Sequence, residues 1–381
     1  MSMKIREAKS SKWRILYFIV LFVVIGFSGY ALFEASVSGI LPSKYVLGGV
    51  IGFVLWVALV LYLLLRRFAS RPRRIIARTI AILLLVVLVS TSAFGLYVLK
   101  RSLSTLDGLS TSENAVTVNT GESFNIFISG IDTEGDISST SRSDVNIVAT
   151  INPSTHKILL TTVPRDSYVS IPLGGNNGMD KLTHAGNYGP EASMGAVADL
   201  LDTDIDAYVR INFTSFITSI DTLGGITINN PETFVSYDNK TFNAGTLYLN
   251  GEDALSYSRE RKSLSAGDVD RGKNQQRVIQ GIVDKMTSIR SISGFEAVLS
   301  LIGTSIDTNM SQSTIRSLIN QQLASPASWI TESYSLAGKG QTGGLKSYAM
   351  PSSQLYMYVL DESSVVSAKQ KINATLEGGT D

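Results

Sequence analysis

Three uncharged apolar runs, Ile15 to Phe33, Tyr45 to Leu65 and Thr79 to Leu99, fill most of the first hundred residues and constrain everything after them. Each is about 20 residues long, enough at about 1.5 Å per residue to cross about 30 Å of hydrocarbon with every backbone hydrogen bond closed inside the helix. An odd number of spans places the two ends of a chain on opposite sides of a bilayer. Lys4, Arg6, Lys9, Lys12 and Arg14 precede the first run, and Arg66, Arg67, Arg71, Arg73, Arg74 and Arg78 fill the connection between the second and third. The loop from Glu34 to Lys44 carries one acid and one base. The positive-inside rule then predicts a cytoplasmic N-terminus and an extracytoplasmic chain from about Lys100 onward. The first run lacks a small-residue cleavage site and precedes two further spans, so it reads as an anchor rather than a removed leader.

The overall charge of +1 conceals an asymmetric chain. Residues 1 to 110 hold 14 of the 33 Lys and Arg but only 3 of the 32 Asp and Glu, which leaves 19 bases against 29 acids in the remainder. Such an acidic outer part lacks the uncompensated Lys and Arg that sequence-independent nucleic-acid binding requires, and no nucleic acid is expected as a partner. It also makes any local arginine cluster informative. Cysteine is absent, which excludes disulfides, thiol catalysis and thiolate metal sites. Two histidines, His156 and His184, leave little for a histidine-rich metal centre, and His184 reads as a hydrogen-bonded structural residue rather than a base.

The chain divides into residues 1–101, a cytoplasmic N-terminus with three transmembrane helices; 102–121, a Ser, Thr, Asn and Gly-rich extracytoplasmic stalk; and 122–381, one large outer domain. In that domain Phe124 to Ile131 reads as a strand, and Val145 to Ile151 and Lys157 to Val163 as a hairpin turned by Asn152-Pro153-Ser154-Thr155. Helices are predicted at Ala192 to Leu201, Thr214 to Leu223, Gly251 to Tyr257, Lys273 to Ile289, Gly294 to Leu301, Ser313 to Leu323 and Val365 to Leu376. Further strands are predicted at Ala207 to Asn212, Ile226 to Ile228 and Phe234 to Tyr237. The pattern is mixed α/β without internal repeats.

Polar residues just beyond strand ends are held by a rigid sheet yet open to a ligand. Three such groups occur: Gly130-Ile131-Asp132, Arg142-Ser143-Asp144 and Pro164-Arg165-Asp166. A denser charged stretch runs from Arg259-Glu260-Arg261-Lys262 through Asp268, Asp270 and Arg271 to Gln275 and Arg277. Carboxylates and guanidinium forks together are what a pyrophosphate ester with a divalent cation needs: oxygen ligands for hard Mg²⁺ and planar donors for phosphate oxygens. Taken singly, each group is equally a surface turn with an ion pair worth about 0 to 1 kcal/mol.

In order and spacing these groups resemble the LytR-CpsA-Psr family of bacterial cell-envelope proteins, over most of residues 122 to 290. Asn125 to Asp132 is similar to the family's opening strand and Gly-x-Asp, Arg142-Ser143-Asp144 to its Arg-Ser-Asp, and Val163-Pro164-Arg165-Asp166 to its Ile-Pro-Arg-Asp. Lys181-Leu182-Thr183-His184-Ala185 resembles Lys-Leu-Asn-His-Ala, and Leu223-Gly224-Gly225-Ile226 resembles Leu-Gly-Gly-Val. Leu249 to Lys262 follows Leu-Asn-Gly-Glu-x-Ala-Leu-x-Tyr-x-Arg-x-Arg. Where many members read Arg-x-x-Arg-Gln, this chain has Arg271-Gly272-Lys273-Asn274-Gln275, so Asn274 replaces an arginine and Lys273 offers a charge nearby. The three spans match the capsule-associated subgroup, although the connections here are too short for that subgroup's accessory domain.

The resemblance implies a catalytic domain with a mixed central sheet flanked by helices on both faces, and a hydrophobic tunnel for a prenyl chain. It implies a phosphotransferase that moves a glycopolymer, a capsular polysaccharide or a teichoic-acid-like polymer, from undecaprenyl diphosphate to peptidoglycan outside a Gram-positive membrane. Carried over by position, Asp132 and Asp144 would hold Mg²⁺, and Arg142, Arg165, Arg259, Arg261, Arg271 and Gln275 would bind the diphosphate. Arg142, Arg165 and Asp166 would carry the catalytic role, with Asp166 and Glu260 near enough to the arginines to be considered as bases. The apolar faces of Ala192 to Leu201 and Phe213 to Leu223 are expected to line the tunnel. The rival readings are a prenyl-diphosphate hydrolase, a non-catalytic wall-binding module and a membrane-bound transcriptional regulator; an outer, acidic domain argues against the last.

Overall fold

The computed structural model describes residues 2–66, 70–107, 115–133, 137, 140–265, 267–288, 306–325 and 327–379. The chain separates into two compact units, Met1–Ser104 with Ile319–Ser325, and Thr105–Leu318 with Pro326–Asp381.

In the first unit the apolar runs form α1 (Ser2–Val37), α2 (Ser43–Leu65) and α3 (Arg71–Asp107). Within them Tyr17–Val37, Ser43–Leu65 and Arg71–Ser104 are long and apolar enough to cross a membrane, with mean hydropathies of 2.1, 2.5 and 2.5. Phe22 projects outward at 78% exposure, an arrangement that hydrocarbon tolerates and water penalises. Leu21, Val24, Val60, Ala81 and Leu85 form a packed seam between the helices. Polar groups on that seam find partners inside it: Ser92 Oγ donates to Ser28 Oγ at 3.0 Å and the Trp56 indole to the Leu84 carbonyl at 3.2 Å.

Along the rest of the chain the strands are β1 (Phe124–Ile131), β2 (Ser143–Asn152), β3 (Lys157–Thr162), β4 (Tyr168–Ile171), β5 (Gly178–Lys181), β6 (Ala207–Ile211), β7 (Ile226–Asn230), β8 (Phe234–Val235), β9 (Thr241–Phe242), β10 (Gly245–Leu249), β11 (Asp307–Thr308), β12 (Ile330–Ser335), β13 (Gly338–Thr342) and β14 (Tyr356–Leu360). The helices are α4 (Leu182–Ala185), α5 (Pro190–Leu201), α6 (Phe213–Thr222), α7 (Gly251–Arg259), α8 (Asp268–Ser288), α9 (Gln312–Ala324) and α10 (Glu362–Glu377). Six strands make one mixed sheet in the order β11-β6-β1-β2-β3-β12. β1 is parallel to β6 and β3 to β12, while β1–β2, β2–β3 and β6–β11 are antiparallel. The carboxyl ends of β6, β1, β3 and β12 therefore share one edge, where ligands of open α/β sheets bind.

Period-two alternation assigns the two faces. Phe127, Val148 and Leu159 pack under Ala196, Val197 and Leu201 of α5 and Ala368 and Ile372 of α10. Ile147, Ala149 and Leu160 face the other way, toward Ile279 and Val283 of α8. Both faces are thus covered, which explains why β2 and β3 read as nearly continuous apolar runs. Their hairpin closes through Asn152, whose Oδ1 accepts from the Ser154 and Thr155 N–H groups at 3.0 and 3.1 Å. A second core, with Ile220, Phe234, Phe242, Tyr257 and Val278 among its members, joins α6, α7, α8 and the β7–β10 strands.

Part of the segment read as a solvated stalk is structured: Val118 and Thr120 are buried, Val116 bridges to Met310, and the Val118 N–H donates to Thr314 Oγ1 at 3.0 Å. Hydroxyl-rich sequence looks like linker, yet here the hydroxyls are hydrogen-bond partners along α9. The strand expected to reach Tyr237 stops at Val235, where the chain turns back into β9. The helix expected at Gly294 to Leu301 lies outside the described residues.

Candidate active site

At the shared carboxyl edge lies a cavity of about 270 Å³, its wall drawn from β1, β2, α6, α7, α8 and the segment after β3. Asp132, Asp144, Arg165, Arg259, Arg271 and Gln275 all line it. They come from four places in the sequence, brought together because β1 and β2 pair antiparallel and α8 packs across the same sheet. Ile128, Ile211, Phe216, Leu255, Val278, Ile279 and Ile282 make its apolar part. The α8 contribution follows helical spacing: Arg271, Gln275, Val278, Ile279 and Ile282 step by four, three, one and three along one face, polar at its start and apolar further on.

Local structure fixes each charged group. A bulge at Gly130/Ile131 ends the β1–β2 ladder just before Asp132, and bulges re-aim side chains beside active sites. Gly130 is needed there because a Cβ would stand 2.9 Å from Val145 Cβ and Cγ2. Beneath, Ser143 Oγ bonds Ser129 Oγ at 2.8 Å and donates to Asn146 Oδ1 at 2.7 Å, a buried polar network that pins the start of β2. Arg165 Nη1 donates to Asp144 Oδ2 at 2.6 Å, and Thr183 Oγ1 donates to Asp144 Oδ1 at 3.2 Å. Arg259 ends α7 with its guanidinium 4.4 Å from the Phe213 ring centroid and 5.6 Å from that of Tyr237. Among the described residues no carboxylate pairs with it, so its charge is free for an anion while the rings hold its plane. Asp132 is exposed, with no side-chain hydrogen bond among the described residues.

Three expected site residues stand elsewhere. Arg142 is exposed and does not line the cavity; it precedes the first residue of β2, so no ladder bond fixes its direction, and its carbonyl accepts from the Asp132 N–H at 3.4 Å. Arg261 is exposed as well, because α7 ends at Arg259 and the extended Glu260 takes the chain off that helical face. Asp166 sits behind the cavity wall, accepting from Lys181 Nζ at 2.9 Å and lying 3.8 Å from Arg165 Nε, and so braces the arginine. Glu260 is buried within its own turn. Burial pushes its carboxyl up, but hydrogen bonds from Ser263 and the Arg261 and Lys262 N–H groups outweigh that and hold it below the usual carboxylate range, with Oε1 accepting from the Ser263 N–H at 2.9 Å. Asn274 faces away too, accepting from Arg277 Nη1 at 2.6 Å, and Lys273 pairs with Asp270 at 2.9 Å.

α5 does not form a tunnel wall: its apolar face is consumed by the sheet core, and α8 and α7 take that place beside α6. Phe213, at the start of a helix expected to line the tunnel, does line the cavity, whereas the bond from Thr183 to Asp144 and the place of Tyr237 beside Arg259 escaped the sequence reading. The α8 face had a signal in its spacing; the rings around Arg259 had none, since they meet it only through tertiary packing. His184 is buried, with Nδ1 2.8 Å from Asp180 Oδ1, and does not line the cavity.

Asp132 and Asp144 both line the cavity, and carboxylate oxygens of this kind could hold a hard divalent cation, whereas no cluster of three or more His, Cys, Asp or Glu occurs among the described residues. The cavity can therefore receive a molecule with an anionic head and an apolar tail.

The chain is 29% identical over 324 residues to the polyisoprenyl-teichoic acid–peptidoglycan teichoic acid transferase TagU of Bacillus subtilis strain 168, which covers 82% of this chain and 100% of that one. The crystal structure of B. subtilis TagU matches with a TM-score of 0.52 at 30% identity over 68% of this chain and 99% of TagU. A structure of TagT bound to LI-WTA matches with a TM-score of 0.53 at 26% identity, over 71% and 98%. The LytR_cpsA_psr family profile covers residues 98–371, and with the anchor, sheet and arginine-lined cavity all in place, this chain belongs to that family.

Proposed function

We propose that this protein is a membrane-anchored phosphotransferase that moves a teichoic-acid-like or capsular glycopolymer from a polyprenyl diphosphate carrier to peptidoglycan on the outer face of the membrane. The observation that carries this reading is one cavity lined both by Arg165, Arg259 and Arg271 and by the apolar Ile128, Phe216, Val278 and Ile282. At about 30 Å³ per water-sized group, about 270 Å³ accommodates the head group and the first carbons of an isoprenoid.

In the reaction an acceptor hydroxyl oxygen attacks the sugar-linked phosphorus, and the bond from that phosphorus to the bridging oxygen breaks. The departing prenyl phosphate keeps the electron pair, and the hydroxyl proton passes to it or to water. Negative charge grows on the leaving phosphate, so donors fixed on its oxygens stabilise the transition state more than the ground state. Arg165 is suited to this because Asp144 and Asp166 hold it in place before substrate arrives. Arg259 contributes a charge that no carboxylate pairs with among the described residues, and Arg271 and Gln275 present donors from α8. Asp132 and Asp144 would hold Mg²⁺, which when bound supplies further neutralisation of the phosphates.

The test uses the full-length protein in nanodiscs with lipid-linked glycopolymer, peptidoglycan and Mg²⁺. The wild type is expected to yield a phosphodiester conjugate and prenyl phosphate. Arg165→Ala should lower kcat about 10²- to 10³-fold, the effect of losing one transition-state donor. Prenyl phosphate released without conjugate would make the protein a hydrolase, and equal rates for both proteins would remove Arg165 from the site.

A further inference from the structure

The Tyr237 ring lies beside Arg259, a cavity arginine that no carboxylate pairs with among the described residues, at 5.6 Å from centroid to guanidinium carbon. Yet 56% of Tyr237 remains exposed. An exposed aromatic is ordinarily mobile, but the loop that carries this one is pinned on both sides. Before it, Ser236 donates through Oγ to Asp238 Oδ1 at 2.5 Å, and the Ser236 N–H donates to the Lys240 carbonyl at 2.9 Å. Beyond it, Asp238 Oδ1 accepts from Ser256 Oγ of α7 at 2.6 Å, and Lys240 Nζ donates to Asp253 Oδ1 of α7 at 2.7 Å. Asn239 makes the reversal in the left-handed region, at φ 63°. The loop is thus fastened to the helix that ends in Arg259, so the backbone that carries the half-open Tyr237 ring is held beside that guanidinium. Rigid amphipathic aromatics supply contact area at low entropic cost.

We propose that Tyr237 is the platform of a sugar subsite, stacking against the apolar face of a pyranose ring next to the diphosphate. The inference rests on the phosphotransferase reading and adds to it. In a glycosyl prenyl diphosphate the sugar is bonded directly to the second phosphate, so a phosphate held at Arg259 places the first sugar within one bond of the group this arginine binds. The prenyl end occupies the apolar interior, and the sugar must extend outward. Phe213, which lines the cavity, and Tyr237, which does not, flank the guanidinium; the outer ring therefore stands where the sugar leaves the mouth. A pyranose of the acceptor strand carries the same chemistry and approaches the same phosphorus.

Full-length wild type, Tyr237→Ala and Tyr237→Phe are compared in nanodiscs. Binding of prenyl diphosphate with and without one attached sugar is measured, together with KM for donor and acceptor. Tyr237→Ala should weaken the sugar-bearing lipid about three- to ten-fold and leave the sugarless diphosphate unchanged, while Tyr237→Phe keeps wild-type affinity. A rise confined to the acceptor KM would assign the platform to the acceptor sugar. Equal weakening of both lipids would reduce Tyr237 to a support for Arg259 and overturn the subsite, as would no change in any of these. Sugar-dependent binding without conjugate formation by the wild type would instead refute the transfer reaction and leave the subsite standing.

Discussion

Asp180 shows how much of the site's order is held by a residue outside it. It is 1% exposed, and its carboxylate meets His184 Nδ1 at 2.8 Å, Ser347 Oγ at 2.7 Å and the N–H groups of Ala349 and Lys181 at 2.8 and 2.7 Å. Burial alone would push this carboxyl up, but these hydrogen bonds together outweigh it and hold the group at about 2. Asp180 thereby ties β5 to the 347–349 segment, and its neighbours Lys181 and Thr183 reach Asp166 and Asp144 behind Arg165. A carboxyl whose folded pKa lies below its unfolded value stabilises the fold fully above the unfolded value, and that contribution fades as pH falls through the folded one. The window runs from about pH 4 down to about pH 2, and the contribution is on the order of 2 kcal/mol. Asp180→Asn should therefore melt lower than wild type at neutral pH, and the gap should close as the pH is lowered across that window. A gap of constant size from pH 7 to pH 2, measured by thermal unfolding, would mean that the ionised form contributes nothing.

Among elements, the crossing of α6 and α7 decides whether Arg259 can sit between its two rings. Gly251 opens α7 with its backbone against α6: a Cβ there would come within 2.4 Å of the Ile217 carbonyl oxygen, and the Gly251 N–H donates to Asp221 Oδ1 at 2.8 Å. Gly251→Ala must push the helices apart, at a cost of about 1 to 3 kcal/mol, and would draw Arg259 away from Phe213. A matched control is Gly272→Ala in α8, where a Cβ meets nothing within 4 Å and where alanine favours helix by about 0.5 to 1 kcal/mol. Melting temperature and transferase rate should fall together in the first variant, and stability should hold or rise in the second. The elements legible in the sequence were those whose burial is written as pattern: the three spans, β1 to β3 and the amphipathic α8. β12 and β13 were not legible, because Ile330–Ser335 and Gly338–Thr342 are polar edge strands with few buried positions, fixed by the registers of β3 and β14 rather than by their own composition. Within the site, residues that follow strand ends could be read, since a strand end marks them. Whether Arg142 or Arg259 faces the cavity could not, because that depends on a ladder and a helix terminus that side-chain identity does not encode.

At the scale of the whole molecule, a charge division joins the anchor to the chemistry. The first 110 residues hold 14 of the 33 bases and 3 of the 32 acids, and the bases crowd the ends of the spans where a cytoplasmic leaflet would attract them. The remaining chain is acidic, and against that background the cavity collects Arg165, Arg259 and Arg271 around Asp132 and Asp144. Both substrates of the proposed reaction, a lipid-linked polymer and the wall, meet only outside the membrane, so an outward domain is a requirement of the mechanism. Tethering enzyme and lipid substrate to one bilayer also raises their effective concentration without any new contact. The absence of cysteine makes orientation directly measurable, since a single introduced thiol has no competitor. Ser352→Cys and Arg73→Cys both place the thiol at exposed positions. In intact cells a membrane-impermeant maleimide should label Ser352→Cys at once and reach Arg73→Cys only after permeabilisation. The reverse pattern would put the arginine-lined cavity in the cytoplasm, out of reach of peptidoglycan, and the proposed reaction would fall with it.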